Sequence, residues 1–271
     1  MRKLPLYFKT SFLLISSYCQ ILHGQNIRVI SPYIGSITDN YKNEQRNLDL
    51  KDNSLLKGFF VQWINIKNYQ WNIFIYQSSN INFSTLWGGH FIFDYYFYSS
   101  PKGKFVFGTG AEYLKIDMNA NSNITPFNDF ELLNKIYIPY IRLGYAFPFL
   151  ETDSKISFMP WVGIQCQMVR GNLTMTADPP GPAPSFTVKE VINSTDYFAI
   201  SGLNINARFY YVVELDIKYY GTFDRKNYYS TISGLINLYL AKHLGLSYRV
   251  KYMELSKGYD LYNLFGIAFV F

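Results

Sequence analysis

Cysteine, histidine and charge are all scarce in this chain. Its 271 residues include two cysteines and three histidines, and Asp, Glu, Lys and Arg together make up 16%. Two thiols cannot build a disulfide framework, a zinc knuckle or a Cys-rich metal site. Three histidines, His23, His90 and His243, leave little room for imidazole-based metal binding or catalysis. No cofactor or metal is expected. The basic residues are scattered and form no Lys/Arg cluster, which removes the electrostatic footprint of nucleic-acid binding. No segment combines the length and the lack of charge of a transmembrane helix, roughly 20 mostly apolar residues.

Against these absences stands an excess of apolar and aromatic residues: 49% hydrophobic and 19% aromatic, with 25 Tyr and 23 Phe. At the front, Arg2, Lys3 and Lys9 precede an apolar run from Phe12 to Leu22. Ser16, Ser17, Tyr18 and Gln20 interrupt that run, and Gly24 offers a small residue for cleavage. This pattern predicts an export signal over residues 1–24. The alternatives are a retained anchor or lipidation at Cys19, against which Tyr18 stands where a small residue is wanted. Cleavage after Gly24 leaves 22 basic and 19 acidic residues and a single thiol, Cys166, so no intrachain disulfide.

From Ile27 onward the alternation of apolar and polar residues predicts about twelve strands, near 27–38, 56–67, 70–79, 85–98, 104–118, 134–147, 155–171, 195–209, 211–223, 228–241, 244–255 and 258–271. Ten or fourteen remain open, since the first hairpin and 172–194 are weakly patterned. Short connections, such as Lys67-Asn68-Tyr69 and Lys242-His243, alternate with long ones at 39–55, 119–133 and 172–194. The stretch Asp178 to Pro184 has four prolines and cannot join a hydrogen-bonded ladder.

The last residues carry the sharpest signal. Phe265, Ile267, Phe269 and Phe271 form one bulky row, Gly266 and Ala268 the other, and the sequence stops on an aromatic. Here the chain resembles the porin-like bacterial outer-membrane β-barrel proteins. The resemblance implies an all-β, antiparallel transmembrane barrel with meander topology over residues 25–271. It also implies outer-membrane lipid and the barrel assembly machinery as partners, with Phe265, Ile267, Phe269 and Phe271 as the assembly signal. The alternative is a soluble β-sandwich, but a sandwich has no reason to sort short from long loops, whereas a membrane barrel does.

Parity then divides each strand into an outer and an inner row. Phe91, Phe93, Tyr95 and Phe97 outside put His90 and Asp94 inside; Ile141, Leu143 and Tyr145 outside put Tyr140 and Arg142 inside. The same rule assigns Gln165, Gln167, Glu214, Asp216 and Lys218 to the lumen. It adds Arg249, Lys251, Glu112 and Arg208, giving an interior of both signs. Either these charges pair across the lumen, the cations Arg142, Arg208, Arg249 and Lys251 each meeting a carboxylate, or they select solutes.

Three functions fit. The first is a porin-like channel for small hydrophilic solutes. The second is a closed structural or surface-binding barrel, shut by charge pairs with Tyr140, Trp161 and Tyr239 and acting through its long loops. The third is a barrel hydrolase centred on His90. It lacks a nucleophile, because no Gly-x-Ser-x-Gly turn occurs and Ser78, Ser79 and Ser84 fall in a predicted loop. The chain is therefore expected not to be an enzyme.

Overall fold

The computed structural model describes residues 27–271 except 44–47, 66–68, 80–83, 101, 122–128, 152–154, 178–183, 210–211, 225–226, 242 and 256–257. The expected signal, residues 1–24, and most of the proline-rich stretch lie outside the described residues. Twelve strands follow one another: β1 (Ile27–Asn43), β2 (Leu48–Asn65), β3 (Tyr69–Ser78), β4 (Ser84–Ser100), β5 (Gly103–Asn121) and β6 (Asp129–Glu151). The second half comprises β7 (Lys155–Ala177), β8 (Phe186–Phe209), β9 (Val213–Asp224), β10 (Asn227–Ala241), β11 (Leu244–Leu255) and β12 (Gly258–Val270).

Each strand pairs antiparallel with its neighbours in sequence, and β1 pairs with β12 from Val29↔Val270 to Tyr41↔Gly258, closing a meander barrel. Closure gives each strand a partner on both sides along the body of the barrel and removes the edges there. Both described termini lie at one end, the turn end, where the connections are short; the opposite end is the loop end.

The loop end corrects the expected loops. Residues 39–55, 119–133 and 172–194 are mostly strand, extending the β1–β2, β5–β6 and β7–β8 hairpins to pairs such as Asn43↔Leu48, Asn121↔Asp129 and Ala177↔Phe186. Ladders that rise above an apolar belt have water on both faces, so they lose the alternation that marks a strand in sequence. The rim is uneven: β8 pairs with β7 over its whole length but with β9 only from Ala199 to Phe209. Residues 186–198 therefore keep one free backbone edge, with Val191 and Tyr197 about three-quarters exposed.

On the outer face, Ile141, Leu143, Val162, Ile164, Phe265 and Ile267 are all exposed. Aromatic girdles bound this apolar surface. Near the turn end, ring contacts run Phe97–Phe105–Tyr145–Phe147–Phe158 across β4 to β7. Toward the loop end, Trp87, Tyr113 and Tyr137 are in contact across β4 to β6. Phe105 and Tyr113 are eight residues apart on β5, ~27 Å along a strand and about 21 Å after a barrel tilt, close to the height of a membrane barrel's apolar band.

Candidate functional site: the barrel interior

Ion pairs and hydrogen bonds organise the lumen. Asp94 on β4 and Arg142 on β6 are buried and meet over the intervening β5, with Arg142 Nη2 donating to Oδ1 at 2.8 Å and Oδ2 at 2.9 Å. Gly108 makes this possible. It pairs with Asp94 on one side and Arg142 on the other, and a Cβ there would sit 2.5 Å from Arg142 Nε and 2.6 Å from Asp94 Oδ1. Gln70 Nε2 adds a bond to Asp94, the Arg142 guanidinium stacks on Trp161, and Trp161 Nε1 donates to Asn204 on β8.

A second chain continues from β8. Arg208 pairs with Glu214 at 3.2 Å, and Glu214 also accepts Tyr239 Oη at 2.6 Å and Asn237 Nδ2. Asn237 accepts Ser247 Oγ, which hydrogen-bonds Tyr33 Oη on β1. Together the chains join strands from β3 round to β1. Charge-assisted bonds of this kind are roughly twice as strong as neutral ones, and buried polar groups need such partners.

Toward the loop end the lumen is crossed. Lys251 Nζ on β11 meets Glu112 Oε1 on β5 at 2.7 Å. These strands are six apart in either direction around the ring. A round twelve-stranded barrel is roughly 24 Å across by strand spacing and tilt; one Lys and one Glu cannot bridge that width, so the wall is drawn in here. Beside this bridge an apolar cluster fills part of the interior: Tyr33, Leu56, Phe60, Phe74, Tyr76 and Tyr262. It covers the inner face of β1 to β3, where both rows of the sequence are apolar. That doubled pattern was available in Leu55-Leu56 and Phe59-Phe60-Val61 but escapes a reading that assumes a polar lumen.

What remains is a cavity of about 400 Å³. It is lined deep in the barrel by Asn72 and Arg142 and toward the loop end by Gln167, Asp224, Tyr229 and Glu254. His90, Gln165, Asp216 and Lys218 also line it; Asp216 and Lys218 pair at 3.1 Å, and the His90 ring lies 5.7 Å from that of Phe74.

Arg249 departs from the pairing alternative. No carboxylate lies within ion-pair distance among the described residues, and its guanidinium carbon sits 4.2 Å from the Phe60 ring centre and 4.5 Å from that of Phe74. Its Nε is buried without a hydrogen-bond partner. The serine expectation also changes: Ser78 and Ser84 end strands, and Ser78 Oγ accepts from the Leu86 amide at 2.8 Å. Phe265, Ile267, Phe269 and Phe271 point outward and are exposed. The hydrogen-bonding roles of Tyr33, Gln70 and Ser247 were missed, because an isolated polar residue in a strand does not disclose its partner two strands away.

Among solved structures, the chain is similar to the translocator domain of the autotransporter NalP from Neisseria meningitidis, at TM-score 0.54 and 8% identity over 98% of this chain and 96% of that one. It is also similar to the transport unit of the autotransporter AIDA-I from Escherichia coli, at TM-score 0.51 and 10% identity over 92% of each chain. A TodX deltaS2S3 mutant monoaromatic hydrocarbon channel aligns at TM-score 0.50 and 8% identity over 93% of this chain and 92% of that one. No protein-family model and no curated protein matches. These likenesses define the class by fold: a closed twelve-stranded β-barrel whose structural neighbours are outer-membrane barrels.

Proposed function

We propose that this chain is an integral barrel of the bacterial outer membrane, embedded in lipid through its apolar outer face, inserted by the barrel assembly machinery, and non-catalytic. Its lumen is closed to free diffusion, and it works as a binding barrel through the chamber and hairpins at its loop end. The observation that carries this reading is the Glu112–Lys251 bridge between opposite walls, packed beside the Tyr76 and Tyr262 rings. A half-buried ion pair that also joins two walls resists opening, because separating it takes each charge from its partner.

A porin-like channel needs a continuous water path along the axis; the Glu112–Lys251 bridge and the apolar cluster beside it support the closed reading instead. Reconstitution of the wild-type barrel into planar bilayers tests the two readings. The closed barrel gives no unitary conductance steps in 1 M KCl; regular steps would instead support passage of small hydrophilic solutes.

A further inference from the structure

Every other cation described inward from the strands of this barrel and discussed above has a carboxylate partner: Arg142 with Asp94, Arg208 with Glu214, Lys218 with Asp216, Lys251 with Glu112. Arg249 has none among the described residues, yet it lines the same cavity. The Phe60, Phe74 and Tyr33 rings lie against it at 4.2, 4.5 and 5.8 Å from its guanidinium carbon, so what it can offer a ligand are the N–H donors of its planar fork that the rings and the Tyr33 hydroxyl leave free, a geometry matched to a carboxylate. Asp216, the carboxylate that could compete for it, is held by Lys218 at 3.1 Å.

The rest of the lining suits an apolar body. Tyr140, Trp161, Phe198, Ile200 and Tyr220 face the cavity, and ligand sites are typically apolar concavities of about 300–1,000 Å³ with a few placed polar groups. Asp224 and Glu254 line the cavity toward its loop end, and Glu254 accepts both the amide and the hydroxyl of Ser230. Two carboxylates on the way in disfavour multiply charged anions such as phosphates more than a singly charged one.

We infer that the chamber binds a small amphipathic carboxylate, with an apolar or aromatic body against the ring-lined wall and its one anionic head on the edge of Arg249. This deepens the binding-barrel reading and rests on it. The carboxylate would supply the counter-charge that the fold withholds from Arg249, while the flanking rings keep the guanidinium fixed and dry, which strengthens the contact.

The test is calorimetric titration of the full barrel in lipid nanodiscs with 4-phenylbutyrate and with its neutral amide, 4-phenylbutyramide. The wild type is expected to bind the acid at least 10-fold more tightly than the amide, Arg249→Lys to keep part of that preference, and Arg249→Gln to abolish it. Equal binding of acid and amide by the wild type, no binding of either, or a preference that survives in a folded Arg249→Gln barrel would each overturn the inference. Should Arg249→Gln fail to fold, the acid-to-amide ratio in the wild type and in Arg249→Lys decides. An acid preference that depends on Arg249, accompanied by conductance steps in the wild type, would sustain this site and overturn the closed lumen; silent bilayers with no acid preference would overturn this site alone.

Discussion

Glu112 and Lys251 stand on strands half the ring apart, and their side chains nevertheless meet at 2.7 Å. Only a wall drawn inward allows this, so the pair marks where the cross-section narrows. The pair gathers other groups: the Lys251 ammonium lies 5.8 Å from the Tyr262 ring centre, and Tyr262 packs edge-on against Tyr76. A contact that joins opposite walls constrains more of the barrel than one between neighbouring strands.

The Asp94–Arg142 pair depends on Gly108 for its space. Asp94→Asn leaves a buried guanidinium short of charge and is expected to cost about 3–5 kcal/mol, the usual effect of removing one partner of a buried pair. Gly108→Ala should destabilise in the same direction, since its methyl would overlap both partners, and combining the two changes should cost less than their sum. Urea midpoints of the barrel refolded into lipid vesicles measure all three variants.

Glu214 holds Arg208, Asn237 and Tyr239 at once. Glu214→Leu is expected to destabilise by several kcal/mol, since each buried polar group left unsatisfied costs about 1–3 kcal/mol. Tyr239→Phe removes one donor only and should cost about 1 kcal/mol. Unfolding followed by loss of heat-modifiable gel mobility separates the two.

Val162 is 64% exposed on the outer face, within the apolar surface between the aromatic girdles. Val162→Arg is expected to reduce the stability of the inserted barrel by about 2–4 kcal/mol, the cost of an Arg at mid-membrane. Val191→Arg, on the part of β8 that pairs only with β7, should have almost no effect. Equilibrium folding into vesicles checks the contrast, and equal effects would remove the membrane assignment of the outer face.

The β8 edge yields a separate expectation. Residues 186–198 pair with β7 alone, whereas 199–209 pair on both sides. In the first stretch, amides that point away from β7 should exchange with solvent quickly while their alternate neighbours stay protected, and in the second all should be slow. Residue-resolved hydrogen exchange in micelles measures this.

Much of the wall was legible because outward-facing and lumen-facing residues alternate along a barrel strand. In β9, Glu214, Asp216 and Lys218 interleave with Val213, Leu215 and Ile217, and parity alone places the three charges inside. The terminal row from Phe265 to Phe271 was legible for the same reason. Two features were hidden by the same rule. Above the girdles both faces are wet, so residues such as Asn119 and Thr174 look like loop although they belong to ladders. In β1 to β3 both faces are apolar, since the inner row packs into the Phe60–Phe74 cluster. Which carboxylate meets which cation across the lumen depends on the barrel's cross-section, which no strand encodes by itself; this is why the sequence leaves both pairing and solute selection open for Arg249, which alone of Arg142, Arg208, Arg249 and Lys251 has no carboxylate partner among the described residues.

The most direct measurement of the closed lumen is a liposome-swelling assay with a small sugar such as arabinose, comparing the wild type with the triple variant Glu112→Ala, Arg249→Ala, Lys251→Ala. Liposomes carrying the wild-type barrel should swell no faster than protein-free liposomes, and the variant, with the bridge and the neighbouring Arg249 side chain removed, should swell measurably faster. Wild-type swelling as fast as that of the variant would contradict the account.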